Sequence, residues 1–332
     1  MSKALAILIS SAGRRVELMR CFQSGAAALG FHARMIAVDA QPRLSPACQV
    51  ADRSFCVPPC GDASFIPALL EICQREQVAL LVPTIDPELQ ALAAHRDDFR
   101  RVGTRVVVSE AELVKVARNK AETARFVAAA GIRAPRTALL TDALQEREEW
   151  NVPLILKEID GSSSVGVHHV RSLSAVEVLG LNPERYVAQE YWAGREYTVN
   201  LFFDEQRLLG AIPYLRVQVR SGEVSKGITQ RVPAIMQLAE ALGVAMAGRA
   251  YGPICAQAML NDSNEAAVIE INARFGGGYP LAHKAGAEFT RWLLELHLGL
   301  PCSAHNHWEE NLAMLRYDSA IFVPSAEATR TL

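Results

Sequence analysis

One segment near the C-terminal end of the chain has the sequence AVIEINARFGGG at residues 267–278. Successive side chains of a β-strand point to opposite faces of a sheet. One face of this strand would therefore carry Val268, Glu270, Asn272 and Arg274. A carboxylate, a carboxamide and a guanidinium on a strand otherwise suited to burial need polar partners. Either Mg²⁺ held between these oxygens and the phosphates of a nucleotide provides one, or the face is an exposed edge with a Glu–Arg pair.

The strand before this one adds a further oxygen ligand. Residues 255–260 and 267–274 are predicted to form a hairpin with a turn at residues 261–264. Gln257 on the first strand would then lie beside the acidic face of the second. If a nucleotide binds there, Arg274 would neutralise the phosphoryl group in transit.

A lysine followed by a glycine- and serine-rich loop forms a second candidate element. Lys157 lies at the end of a predicted strand over residues 153–158, and DGSSSVG follows at residues 160–166. The lysine offers a point charge, and such a loop offers free backbone N–H groups to polyphosphate oxygens. The alternative is an ordinary flexible hairpin.

The segment QEYWAGRE at residues 189–196 is the third candidate element. An extended hinge over residues 190–192 would present backbone groups to an adenine edge. The Glu196 carboxylate just beyond it could accept hydrogen bonds from two ribose hydroxyls. Taken alone, Glu196 is better explained as a surface glutamate.

The first third of the chain alternates short apolar runs with helical patterns. Strands are predicted at residues 4–9, 33–38, 53–57, 79–83 and 105–108, and helices at 16–29, 65–76 and 87–100. Apolar strands without alternation are typical of a parallel sheet that is covered on both faces. The pattern therefore predicts a doubly wound α/β domain, with ligands at the carboxyl ends of its strands. One long helix is predicted next, over residues 112–130, with Gly131 at its C-terminal end.

Length and composition exclude several classes of protein. At roughly 150 residues per domain, 332 residues predict about two domains. The net charge of −2 gives no support to broad electrostatic binding of nucleic acid or anionic membranes. No apolar run approaches the ~20 residues of a membrane-spanning helix. Seven scattered cysteines favour reduced thiols, so we expect a cytoplasmic protein.

The order of the motifs resembles the ATP-grasp superfamily. Lys120 comes first, followed by Lys157 with its glycine loop, the hinge with Glu196, and then Gln257 and the Glu-x-Asn-x-Arg strand. The resemblance covers about residues 112–300. The large subunit of carbamoyl phosphate synthetase is the nearest relative by motif, since its synthetase halves also carry Gln before Glu-x-Asn-x-Arg. Because 332 residues are far fewer than a duplicated synthetase has, a stand-alone ligase is the better inference.

The resemblance implies an α/β fold in three parts. Residues 1–111 would form a doubly wound parallel-sheet domain of the kind that precedes ATP-grasp folds. Two α+β subdomains would complete the ATP-grasp fold. The small one, at residues 112–188, would carry the glycine/serine lid loop, and the large one, at residues 189–332, would carry the metal site.

The resemblance also implies a role for each motif residue, with ATP and Mg²⁺ (or Mn²⁺) as cofactors. The implied nucleotide-binding residues are Lys120, Lys157, Gly161, Ser162, Ser163, Ser164, Gly166, Glu190, Tyr191, Trp192 and Glu196. The implied metal ligands are Gln257, Glu270 and Asn272. Arg274 is the implied catalytic residue, and we add Lys226 as a group that could hold the acceptor carboxylate.

The implied activity is carboxylate–amine ligation. A substrate carboxylate attacks the γ-phosphate of ATP, and an amine or other nucleophile then displaces phosphate from the acyl phosphate. The alternatives are a carboxylate kinase-like enzyme without condensation, and a metabolite sensor that binds ATP without chemistry. The partners are then a small-molecule carboxylate and an amine, with no nucleic acid or membrane, and a homodimer is one option for the assembly. Candidate substrate residues are Arg14, Arg15, Asp86, Glu88, Arg220 and Lys284.

Overall fold

The computed structural model describes residues 4–161 and 166–324. Residues 162–165, which include three serines of the expected lid loop, lie outside this part of the chain. The described strands form a five-stranded, a four-stranded and a six-stranded sheet. No helix in the described residues is both long enough and apolar enough to cross a membrane.

The N-terminal sheet is parallel throughout, as predicted. Its strands are β1 (Ala4–Ser10), β2 (His32–Asp39), β3 (Arg53–Cys56), β4 (Leu80–Pro83) and β5 (Arg105–Val106), in the order β3-β2-β1-β4-β5. The helices between and after them are α1 (Val16–Ala28), α2 (Pro46–Val50), α3 (Phe65–Arg75), α4 (Asp86–Ala94) and α5 (Arg96–Arg101). Leu8 packs into one core cluster, whereas Ile7 and Ile9 pack into another. Both faces of the sheet are thus covered, which confirms the doubly wound α/β domain.

Two regions predicted as single helices are each divided. The region predicted over residues 87–100 forms α4 and α5, and the region over 112–130 forms α6 (Ala111–Arg118) and α7 (Lys120–Ala129). Asn119 has an extended backbone, and its side chain accepts hydrogen bonds from the N–H groups of Ala121 and Glu122. Asparagine is favoured at such N-cap positions because its side chain competes for backbone groups. The break places Lys120 in the first turn of α7 instead of mid-helix.

The small antiparallel sheet has its own hydrophobic core. It contains β6 (Thr137–Leu139), β7 (Leu154–Glu158), β8 (His168–Val170) and β9 (Tyr186–Glu190), in the order β6-β9-β7-β8, together with helices α8 (Leu140–Gln145) and α9 (Ala175–Leu179). Leu154, Leu156 and Ala188 are fully buried in this core. Strand β9 continues past residue 188, and the division of the chain at 111/112 and 188/189 remains our proposal.

The large antiparallel sheet contains the remaining described strands. These are β10 (Arg195–Asp204), β11 (Leu208–Arg220), β12 (Glu223–Thr229), β13 (Tyr251–Leu260), β14 (Ala266–Asn272) and β15 (Ala313–Leu315), in the order β14-β13-β10-β11-β12-β15. The helices of this region are α10 (Pro233–Met246), α11 (Tyr279–Lys284) and α12 (Phe289–His297). Tyr197 and Val199 of β10 pack into the core. The alternating residues Glu196 and Thr198 therefore face the opposite side, which borders a cleft.

A bulge changes the expected alternation of β14. Gln257 lies opposite Glu270, but the next residue of β13, Ala258, lies opposite Val268, so Ile269 is the extra residue. Val268 consequently packs into the core with Ile271, and the expectation that Val268 shares a face with Glu270 is wrong.

Candidate active site

Three oxygen-bearing side chains meet where β13 and β14 pair. Gln257 and Glu270 are direct cross-strand neighbours, and Asn272 follows two residues after Glu270. All three line a cleft of about 240 Å³. No group of three or more His, Cys, Asp and Glu residues suited to a metal occurs in the described chain. One carboxylate and two carboxamides fit a hard cation such as Mg²⁺ only when other oxygens, for example of a phosphate, complete its shell.

Two lysines outside the lining of this cleft approach β14. Lys157 at the end of β7 donates from Nζ to Gln189 Oε1 at 2.9 Å and to the carbonyl of Ile269, the bulge residue, at 3.2 Å. Lys120 Nζ donates to the Gly161 carbonyl at 2.6 Å and lies 3.8 Å from Glu270 Oε1. Helix α7 thus brings Lys120 to the Glu270 carboxylate, and β7 brings Lys157 to the backbone of the neighbouring bulge residue.

The charge of Lys157 is only partly compensated in this arrangement. Burial lowers the pKa of Lys157 to about 8, with a further contribution from the Lys120 charge and opposition from Glu270. Glu196 also acts on Lys157 but is itself paired with Arg216, so the two ammonium groups near Glu270 favour binding of an additional anion. An oligophosphate would supply such an anion.

Arg274 connects the expected metal ligands to the N-terminal domain. It follows the end of β14, and its Nη2 and Nε donate to Asp86 Oδ2 at 2.6 and 3.2 Å. Nη2 also donates to Asn272 Oδ1 at 3.2 Å. Burial alone lowers the pKa of Arg274, but the Asp86 carboxylate outweighs it and raises the pKa. These hydrogen bonds hold the Arg274 guanidinium in a fixed position in the cleft.

The hinge between the small and large sheets contains the three residues expected to line an adenine pocket. The backbone N–H groups of Glu190 and Tyr191 already donate to the carbonyls of Arg136 and Pro153. The indole N–H of Trp192 is buried and has no hydrogen-bond partner in the described residues. An adenine contact by this hinge remains a proposal, and Trp192 is the residue with an unused donor.

Glu196 faces the cleft and is not an ordinary surface glutamate. Its Oε1 lies 3.1 Å from Nε of Arg216, and Nη2 of the same arginine donates to the Gly222 carbonyl at 3.0 Å. Burial raises the pKa of Glu196, opposed by the charge of Arg216 and reinforced by that of Glu270. Arg216 lies two residues after Tyr214 on one strand, which puts both side chains on the cleft face.

A second ionic cluster lies where Arg15 of the N-terminal domain meets Glu223 of β12 at the cleft wall. Arg15 Nη1 lies 2.7 Å from Glu223 Oε1, and Arg316 Nη1 lies 2.9 Å from Glu223 Oε2. Burial raises the pKa of Glu223, but the charges of both arginines outweigh it and lower the pKa to about 2. Arg316 was not a candidate from the sequence, because nothing local in the sequence links residues this far apart.

The glycines after Arg274 allow the chain to pack closely against β11 and β12. A β-carbon on Gly277 would collide with the carboxylate of Glu223, and one on Gly278 would collide with the Tyr214 hydroxyl and Val224. Both residues keep the hairpin of β11 and β12 against the cleft wall.

Glu88 has a structural position, which corrects the expectation that it contacts a substrate. It is fully buried, with 0% exposure. Its carboxylate accepts hydrogen bonds from the backbone N–H groups of Thr84 and Ile85 at 2.7 and 3.1 Å, and from Ser11 Oγ at 2.9 Å. It thereby orients the loop that presents Asp86 to Arg274.

Four other expected residues do not line the cleft either, as judged from the described residues. They are Arg14, Arg220, Lys226 and Lys284, and all four are exposed. Arg220 is paired with Asp318 at 2.9 Å. Strand β12 contributes Glu223 and Val224 to the cleft lining. Lys226, two residues further along the strand, is exposed outside that lining, which does not fit the catalytic role expected for it. Only Arg15 and Asp86 of the expected substrate residues reach the cleft.

Comparison with known proteins agrees with this architecture. The family described as PylC-like, N-terminal domain matches residues 7–107, and the family described as ATP-grasp domain matches residues 117–278. No curated protein matches the chain.

Similar solved structures include a biotin carboxylase domain, a synthetase and a ligase. The biotin carboxylase domain of Hydrogenobacter thermophilus 2-oxoglutarate carboxylase is 14% identical, with a TM-score of 0.68 over 92% of this chain and 73% of that chain. Thermotoga maritima N5-carboxyaminoimidazole ribonucleotide synthetase is 18% identical, with a TM-score of 0.65 over 90% and 77%. Bacillus licheniformis L-amino acid ligase is 16% identical, with a TM-score of 0.64 over 92% and 76%. At these identities the similarity shows the fold alone. The domain match confirms the predicted resemblance to ATP-grasp proteins over residues 117–278, and a match to a PylC-like N-terminal domain precedes it at residues 7–107.

Proposed function

We propose that the protein is an ATP- and Mg²⁺-dependent ligase that joins a substrate carboxylate to an amine or another nucleophile, releasing ADP and phosphate. The observation that carries the proposal is the convergence of Lys120 and Lys157 on β14. One lysine lies 3.8 Å from the Glu270 carboxylate and the other 3.2 Å from the Ile269 carbonyl. Cations on one side and oxygen ligands on the other are the arrangement that phosphoryl transfer requires.

Each residue of this arrangement has a role in the proposed reaction. Lys120 and Lys157 bind the nucleotide phosphates, and Glu196 binds the ribose. Gln257, Glu270 and Asn272 hold Mg²⁺, which supplies charge neutralisation at the phosphate oxygens when it is bound. Arg274 neutralises charge on the transferred phosphoryl group and on the acyl phosphate, and Asp86 holds its guanidinium in place.

Similar structures support the choice of substrate classes. The Hydrogenobacter protein is described as a complex with MgADP, ADP and bicarbonate, and the Bacillus protein is described as an L-amino acid ligase. The first of these structures thus holds a nucleotide, magnesium and bicarbonate on the fold that this chain shares.

The test is ADP release from Mg²⁺-ATP with a panel of carboxylates, each with and without amino acids as nucleophiles. Release that requires both partners supports the ligase. Release with a carboxylate alone supports the kinase-like alternative. A nucleotide-induced rise in melting temperature with no ADP release from any mixture contradicts the ligase and supports a sensor. Omission of Mg²⁺ is the control for metal dependence.

The Glu196→Ala variant is expected to raise the KM for ATP by about tenfold while changing kcat much less. Loss of hydrogen bonds to a charged acceptor accounts for this magnitude, and the ribose lies away from the reacting phosphoryl group. Steady-state kinetics with varied ATP measure it. The matched control is Glu177→Ala, since Glu177 is exposed on α9 and should leave the KM unchanged. An unchanged KM in Glu196→Ala would contradict the ribose role.

A further inference from the structure

Arg15 is a cleft-lining cation with unused hydrogen-bonding capacity, beside Thr84, Ile85 and Asp86 of the N-terminal domain. It follows β1, at the carboxyl end of the parallel sheet, where ligands of such sheets bind. Its side chain is only 20% exposed and lines the cleft. The guanidinium donates a single side-chain hydrogen bond within the described chain, from Nη1 to Glu223. A guanidinium has five N–H donors, so the others are available to a ligand.

Ion pairs of Glu223 with Arg15 and Arg316 fix the position of the Arg15 cluster in the cleft wall. Glu223 binds Arg15 through one oxygen and Arg316 through the other, and Arg316 Nη2 donates to the Gly277 carbonyl at 2.8 Å. Arg316 follows β15, so the C-terminal part of the described chain returns to the cleft to complete this cluster. A residue fixed in this way loses little side-chain entropy when it binds a ligand.

The three arginines at and around Arg15 are matched by only two carboxylates of the described residues, which leaves one positive charge in excess. Arg274 is matched by Asp86, whereas Arg15 and Arg316 share the single carboxylate of Glu223. Burial lowers the pKa of Arg15, and the positive charge of Arg274 contributes in the same direction. Arg15 and Arg274 both line the cleft, and an anion bound between them would relieve the repulsion of their charges.

We propose that Arg15 binds a second carboxylate of the acceptor substrate, so that the protein acts on dicarboxylic acids. The inference rests on the proposed function, in which the reacting carboxylate lies beside Arg274 and the γ-phosphate. One excess positive charge matches one additional carboxylate, and the planar guanidinium can bind a carboxylate through two N–H groups. Arg316 acts as a positioning residue through Glu223.

The experiment is a thermal-shift titration of the full chain saturated with Mg²⁺ and a non-hydrolysable ATP analogue. The probes are succinate, glutarate and adipate, each compared with the monocarboxylate of equal chain length: butyrate, valerate and hexanoate. The variants are Arg15→Gln and Arg15→Lys. Arg14→Gln is the matched control, because Arg14 is the adjacent arginine and is exposed outside the cleft lining.

At least one dicarboxylate should raise the melting temperature of the wild type at concentrations where its monocarboxylate partner has no effect. Arg15→Gln should weaken that response by about tenfold or more, since it removes charged hydrogen bonds. Arg15→Lys should fall between Arg15→Gln and the wild type, because an ammonium keeps the charge without the planar fork. Arg14→Gln should respond like the wild type.

The nucleotide-induced shift, measured first in every variant, separates the two proposals. If the wild type shows no such shift, the proposed function fails. If all variants show it, and monocarboxylates bind as well as dicarboxylates or neither binds, only the dicarboxylate inference is overturned. An unchanged dicarboxylate response in Arg15→Gln overturns it as well.

Discussion

Glu270→Gln is expected to lower kcat for ADP release by about a thousandfold. The substitution preserves the size of the side chain but removes the only negative charge of the three proposed metal ligands, and loss of one such electrostatic contact commonly costs about 10²–10³ in rate. It also removes the carboxylate that lies 3.8 Å from Lys120 Nζ. The measurement is kcat with saturating Mg²⁺-ATP and an acceptor identified from the carboxylate panel.

The control for this prediction lies on the same hairpin. Glu265 precedes β14 and is hydrogen-bonded with Asn261 in the turn, so Glu265→Gln alters the charge of the hairpin without altering the cleft. We expect it to retain the wild-type kcat. Near wild-type ADP release by Glu270→Gln would remove Glu270 from the proposed metal site.

Arg274→Met is expected to reduce both activity and stability. Loss of the cation that neutralises the transferred phosphoryl group should lower kcat by about 10²–10³. Asp86, only 10% exposed, would also lose its partner, and breaking a buried pair costs about 3–5 kcal/mol of unfolding free energy. Denaturant unfolding and steady-state kinetics measure the two effects separately.

A double variant distinguishes the two roles of Arg274. Asp86→Asn with Arg274→Met removes the uncompensated charge, so it should recover most of the lost stability but none of the activity. Recovery of ADP release together with stability would show that Arg274 acts only by holding the fold. An unfolding free energy unchanged in Arg274→Met would contradict the structural role of the pair.

Local errors in the sequence-based prediction have identifiable causes. Apolar periodicity predicted one helix over residues 112–130, but the Asn119 side chain caps a new helix within it. The period-two pattern of β14 was correct for Glu270 and Asn272, but the bulge at Ile269 moved Val268 into the core. In each case a single residue departs from a regular pattern for reasons of hydrogen bonding that periodicity does not contain.

The amino-acid sequence by itself determined the α/β class, the order of the motifs and the oxygen-bearing side chains of the β13–β14 hairpin that line the cleft. These depend on neighbours within a few positions, such as the pairing of Gln257 with Glu270 across one hairpin. Only the tertiary structure decided which of two adjacent arginines faces the cleft, and which carboxylate, Asp86 or Glu88, contacts Arg274. Arg15 meets Glu223 across 208 residues of sequence, and Arg274 meets Asp86 across 188. Such contacts arise because the packing of three sheets brings distant side chains together, and local patterns carry no information on that packing.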